Sequence, residues 1–112
     1  MKARIPGAPQ GGQQAMLQRL QDMQAEMQRT QEEVEATDYV ASAGGGAVEA
    51  TVTGAKVLKD IKIDPEVVDP EDVEMLQDMV IAAVNEALRK AEDAMMQGME
   101  KAKGGLNIPG LF

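Results

Sequence analysis

The chain has 112 residues, 44% of them hydrophobic, with one Tyr, one Phe, no Trp and nine Met, and its formal net charge is −8. Without His or Cys it lacks the commonest general base, the thiol nucleophile, sulfur ligands for metals and any disulfide, a composition that fits a reducing compartment. A single domain is expected, small enough that a partner subunit would help it bury apolar surface.

The N-terminal residues 1–14 are rich in Gly, Pro and Gln and are expected to form a disordered tail. Their opening is basic but has no apolar stretch of the kind a secretory signal needs, so a soluble cytoplasmic protein is the expectation. From Ala15 the pattern becomes helical: Met16, Leu20, Met23, Met27 and Val34 recur with heptad spacing, Thr30 fills the remaining position, and Gln residues occupy much of the rest. So narrow a stripe describes either a projecting helix with one adhesive seam or a surface helix packed on its own sheet.

After Asp38 the period changes to two. Tyr39-Val40-Ala41 reads as a short strand, and Val48, Ala50 and Val52 alternate with Glu49, Thr51 and Thr53 in a second, half-buried one. A third follows, with Val57, Ile61 and Ile63 on one face, Lys56, Asp60, Lys62 and Asp64 on the other, and Lys59 on the apolar side near the turn. Gly44-Gly45-Gly46 and Gly54-Ala55 supply the turns, giving three antiparallel strands. The triple glycine lacks the Lys-Ser/Thr and helix start of a phosphate-binding loop, so a hairpin turn is the better reading.

Asp64-Pro65 stops the third strand. Asp69 is expected to cap the next helix, with Pro70 at its first position and Asp72 completing a capping box. Val73, Leu76, Val80, Ala83, Val84, Ala87, Leu88, Ala91 and Met95 give that helix a wide apolar face, so it is expected to be the core helix. Gly104-Gly105 ends it, and residues 105–112 form a tail carrying Leu106, Ile108, Leu111 and Phe112.

Charge is segregated along the chain: +3 over residues 1–21, −5 over 22–38, +1 over 39–63, −8 over 64–86 and +1 over 87–112. The acidic clusters Asp64/Glu66/Asp69 and Glu71/Asp72/Glu74 are the type of group that can hold Mg²⁺, but capping and helix-dipole matching account for most of them, and no metal, cofactor or catalytic residue is expected. Lys56, Lys59 and Lys62 on the second hairpin, and Arg89, Lys90, Lys101 and Lys103 on the long helix, read individually as solvated charges. With no aromatic platform for single-stranded bases, any nucleic-acid partner should be a duplex held by charge and shape.

Four fragments, in order, carry a resemblance: Ile61-Lys62-Ile63-Asp64-Pro65, Glu74-Met75-Leu76-Gln77-Asp78, Ala83-Val84-Asn85-Glu86-Ala87 leading to Lys90-Ala91, and Gly104-Gly105-Leu106-Asn107-Ile108-Pro109-Gly110. Together they resemble the YbaB/EbfC family of small bacterial nucleoid-associated DNA-binding proteins. The resemblance implies an α+β fold over residues 15–104, built as helix, three-stranded antiparallel sheet and long helix, assembled as an intertwined homodimer with projecting N-terminal helices. It also implies a nucleoid location and a function in DNA binding, but transfers no contact residues. Members often carry Lys in the first main strand where this chain has Glu49, an exchange that works against a phosphate partner. The residues expected to meet duplex DNA are Lys2, Arg4, Arg19 and Arg29, with help from Lys56, Lys59 and Lys62, little sequence preference and a possible influence on gene expression. The rival expectation is a dimeric adaptor whose acidic faces and Met-rich seam dock a protein of the replication or recombination machinery; neither reading requires a membrane or a small-molecule substrate.

Overall fold

The computed structural model describes residues 8–104, with side chains from Gly12 onward. Its elements are a helix α1 (Ala8–Glu35), strands β1 (Asp38–Ala43), β2 (Val48–Thr53) and β3 (Leu58–Ile63), a short 3₁₀ turn at Pro65–Val67 and a long helix α2 (Val73–Gly104). The sheet is antiparallel in the order β1-β2-β3. Among the described residues no helix is long and apolar enough to cross a membrane.

Helix α1 begins seven residues before the expected Ala15, so residues 8–14, expected to be disordered, are helical; residues 1–7 of that segment lie outside the described residues. Pro9 is compatible with a first helical turn, where its missing N–H costs nothing, and three Gln residues favour the helix enough to carry it through Gly11 and Gly12. Strand β1 runs from Asp38 to Ala43, beyond the three residues its apolar run suggested, because its whole length pairs with β2 from Asp38 opposite Thr53 to Ala43 opposite Val48.

The inner face of β2 is built by Val48, Ala50 and Val52, all fully buried. Helix α2 lies across β1 and β2 and presents Ala83, Ala87 and Ala91, also fully buried, with Ala41 completing the contact. Alanine on the helix lets it approach the sheet closely, but it makes the core thin: the largest completely buried side chains are Val48 and Val52. Tyr39, Leu76, Met79, Val80, Val84 and Leu88 pack around this centre half-buried.

Both hairpin turns have specific backbone chemistry. The β1–β2 turn places Gly44, Gly45 and Gly46 at φ of 65°, 69° and 94°, a left-handed run that glycine alone enters freely. In the β2–β3 turn the left-handed position falls on Lys56, at φ 67°, closing a three-residue loop in which Lys56 N donates to Thr53 O and Thr53 N to Val57 O. A bulge follows. Thr51 pairs with Asp60 but Val52 with Leu58, leaving Lys59 without a partner in the ladder. Leu58 rather than Val57 therefore shares the inner face with Ile61 and Ile63, and Lys59 is turned off the apolar side where simple alternation had put it.

The start of α2 also differs from expectation. Asp69 accepts from Glu71 N at 2.9 Å and closes a turn in which Asp72 N donates to Asp69 O; the helix cap is Asp72, whose Oδ1 accepts from Met75 N at 3.2 Å. Asp69 and Pro70 thus form the approach to the helix, and there is no capping box through Asp72. Upstream, Asp64 caps the 3₁₀ turn by accepting from Glu66 N at 3.0 Å.

Past the sheet, the second half of α2 returns along α1. Gly98 lies against Thr30, and Glu35 shares a cleft with Glu92, Met95 and Met96, so the two helices run antiparallel. Met23, Met27, Thr30 and Val34 are half-buried in this seam, as are Met95 and Met99 opposite them, and Ala102 is buried. The helices extend far beyond the sheet: the molecule measures 90 × 24 × 15 Å with a radius of gyration of 23.3 Å, against about 13 Å for a compact chain of this length.

Candidate nucleic-acid interface

Arg29 is bound on its own helix: Nη2 donates to Glu26 Oε2 at 2.6 Å, and Nε lies 3.7 Å from Glu33. The hydrogen bond to Glu26 and then its negative charge hold the guanidinium pKa above its ordinary value. Arg89 on α2 is held in the same way by Glu86, three residues before it. In both cases the carboxylate one turn away already occupies the forked donors a phosphate would use.

The lysines of the second hairpin are separated rather than clustered. Lys56 Nζ lies 3.8 Å from Glu92 of α2. Lys59, turned by the bulge, reaches across β2 and donates to Asp38 Oδ2 at 2.8 Å. Lys62 stands opposite Glu49 in the β2–β3 ladder, so its positive charge is answered on the same face of the sheet. Each of these pairs is exposed and individually weak, yet together they leave the sheet without a patch of uncompensated positive charge.

Arg19 differs. It is exposed on the part of α1 that extends past the end of α2, and it has no carboxylate ion pair among the described residues. Lys2 and Arg4 lie outside the described residues, in the same acid-free stretch of sequence. The last turn of α2 carries two more exposed cations, Lys101 and Lys103, which the Gly98–Thr30 contact sets level with about Met27 and Ala25 of α1, short of Arg19. Sequence reasoning passed these over as ordinary helix-end lysines. Their place relative to Arg19 depends on how far α2 reaches along α1, and the paired seams of the two helices are the signal of it in the sequence.

The opposite end of the rod is acidic. Asp72, Glu74 and Asp78 line a shallow cavity of about 480 Å³ beside Ala43 and Gly44. Asp64, Asp69 and Asp72 are each committed to a backbone N–H, and among the described residues no group of three or more potential ligands is placed to hold a metal. Among the described residues, Arg19 is thus exposed without a carboxylate ion pair on the first part of α1, while carboxylates gather at the α2 start.

Comparison with known proteins places the chain in a family. Residues 10–106 match the model of the YbaB/EbfC DNA-binding family. A nucleoid-associated protein of Clostridium acetobutylicum is 50% identical over 110 residues, covering 98% of both chains, and one of Alkaliphilus metalliredigens is 55% identical over 97 residues, covering 87% of this chain and 85% of its own. The crystal structure of an uncharacterized protein from Helicobacter pylori superposes with a TM-score of 0.57 at 27% identity, covering 70% of this chain and 90% of that one. Family match, near full-length relatives and the helix–sheet–helix order coincide, and the chain belongs to the YbaB/EbfC DNA-binding family.

Proposed function

We propose that this protein is a nucleoid-associated, non-enzymatic homodimer that grips duplex DNA with little sequence preference, using the cationic ends of its α1 arms, and so helps organise the bacterial nucleoid and influences gene expression. The observation that carries this reading is the segregation of charge: Arg19 stands in an acid-free segment with no carboxylate ion pair among the described residues, in a family of DNA-binding proteins, while Arg29, Lys56 and Lys59 are already bound to carboxylates. Phosphate contacts respond to charge within about one Debye length, roughly 8–10 Å at physiological salt, so a distant acidic block does not forbid them. Lys2, Arg4 and Arg19 are the primary contacts, Lys101 and Lys103 join them from α2, and Arg29, Lys56, Lys59 and Lys62 contribute only when their acidic neighbours are displaced.

Support for a dimer comes from apolar surface that one chain leaves open. Helix α2 packs chiefly on β1 and β2, so the inner side of β3 is uncovered, with Leu58 45% and Ile63 39% exposed. On α2, Ile81 is 57% exposed beside the half-buried Val80, Val84 and Leu88. A second copy facing this surface would place the two α2 helices back to back between the sheets, deepen a core whose largest buried residues are valines, and supply a second arm.

Retardation of unrelated duplexes at low and moderate salt tests the function. Neutralising roughly four to six phosphates gives a log–log salt slope near −4 to −5. A slope near zero, or no retardation at low salt, rejects the reading. The second reading, a dimeric adaptor for a replication or recombination protein, is favoured by the acidic block and by the exposed apolar residues of α1; truncation of residues 1–14 separates the two, since DNA affinity falls while capture of a protein through the α1 seam survives.

A further inference from the structure

Helix α1 packs on α2 and, at its own end, on the β2–β3 turn, where Gly54 lies against Val34. Most of the apolar bulk in the α1–α2 seam is methionine. Met23 and Met27 come from α1 and Met95 and Met99 from α2, all four half-buried, whereas their neighbours Thr30, Gly98 and Ala102 are small. An unbranched thioether fills such an irregular gap well, and its sulfur stays chemically soft. With no Cys and no Trp in the chain, thioethers are its most readily oxidised groups, and half-burial leaves those of the seam within reach of a reagent as small as hydrogen peroxide.

We propose that this seam is an oxidation site, at which peroxide converts the methionines to sulfoxides and so releases α1 from α2. A sulfur lone pair attacks one peroxide oxygen, the O–O bond breaks and a sulfur–oxygen bond forms. The sulfur gives up two electrons, and the second oxygen takes them and leaves, with both peroxide protons, as water. Of the seam residues named, only Thr30 carries a side-chain donor, so most of the new oxygens stay unpaired unless the helices part and admit water. Met16, Met75 and Met96 are 44%, 40% and 61% exposed outside the seam, so they oxidise first and without this effect. Methionine sulfoxide reductases return the thioether, which makes the release reversible. The site belongs to one chain and requires no nucleic acid.

Graded peroxide treatment of the full-length protein, with peptide mass spectrometry to place each added oxygen, tests this. Once the seam methionines carry oxygen, amide exchange of residues 20–34 and 94–102 should be at least about tenfold faster, and methionine sulfoxide reductases should restore the slow rate. Combining Met23→Leu, Met27→Leu, Met95→Leu and Met99→Leu nearly conserves the seam volume and should abolish the peroxide effect, while Met16→Leu, Met75→Leu and Met96→Leu together should leave it intact. Seam methionines that stay reduced when Met16, Met75 and Met96 are fully converted would overturn the proposal, as would seam oxidation with no change in exchange. Both outcomes are read on the unsubstituted protein. A peroxide effect that survives the four leucines would overturn it as well.

Discussion

Gly98 of α2 lies so close to Thr30 of α1 that a methyl carbon at position 98 would stand 2.6 Å from Thr30 Cγ2. The helix pair that carries the arm is therefore set by a missing side chain. Gly98→Ala improves helix propensity by about 1 kcal/mol but must push Thr30 aside, and the expected net effect is destabilisation. In a Thr30→Ala background the obstruction is gone, and Gly98→Ala should then stabilise by up to about 1 kcal/mol. Chemical denaturation of the four proteins of this cycle measures the change of sign; the same effect in both backgrounds would place the helices further apart than found here.

The two aspartates before α2 have different roles. Asp72→Ala removes the acceptor for Met75 N and should cost about 1 kcal/mol, while Asp69→Ala, which opens a turn outside the helix, should cost less. Thermal melts of the two variants rank them, and a larger loss at Asp69 would restore the sequence expectation that the helix starts there.

Much of the fold was legible because the pattern period changes where the structure changes. Alternation of Val48, Ala50 and Val52 fixed the inner face of β2, and the heptad steps from Met16 to Val34 fixed the seam of α1. Three features were not. The Lys59 bulge shifts a strand by one residue, and with Val57 and Leu58 adjacent, either phase satisfies alternation. Asp69 and Asp72 both carry a capping signal, so only backbone geometry chooses between them. The pairing of Lys56 with Glu92 and of Lys59 with Asp38 is a tertiary effect, since those carboxylates come from other elements, whereas the Arg29 pairings at three and four residues' distance lie within the helical pattern itself.

The open inner side of β3 makes a prediction about assembly. Ile63→Glu places a charge on apolar surface assigned to a second copy, and sedimentation equilibrium should show the dimer weakened by at least about tenfold, with the helical circular dichroism largely kept because Ile63 is 39% exposed in the single chain. An unchanged dimer would move the interface elsewhere.

Pairing should decide which cations matter for DNA. Lys59→Gln removes a charge already compensated by Asp38 and is expected to change duplex affinity less than twofold. Conversely, Glu26→Gln with Glu33→Gln releases Arg29 and removes two negative charges from each arm, and should tighten binding severalfold at low salt. Equal losses on substituting Lys59 and Arg19 would show that the ion pairs do not rank these residues.

If a few cations at the ends of its arms let this acidic protein hold DNA, the salt dependence of duplex binding must report them. Comparing the full-length protein with a variant carrying Lys2→Gln, Arg4→Gln and Arg19→Gln, the log–log slope should fall from near −4 to −5 to the small remainder that Lys101 and Lys103 supply, with affinity lost over the whole salt range. A variant that keeps both the slope and the affinity of the parent would contradict the account.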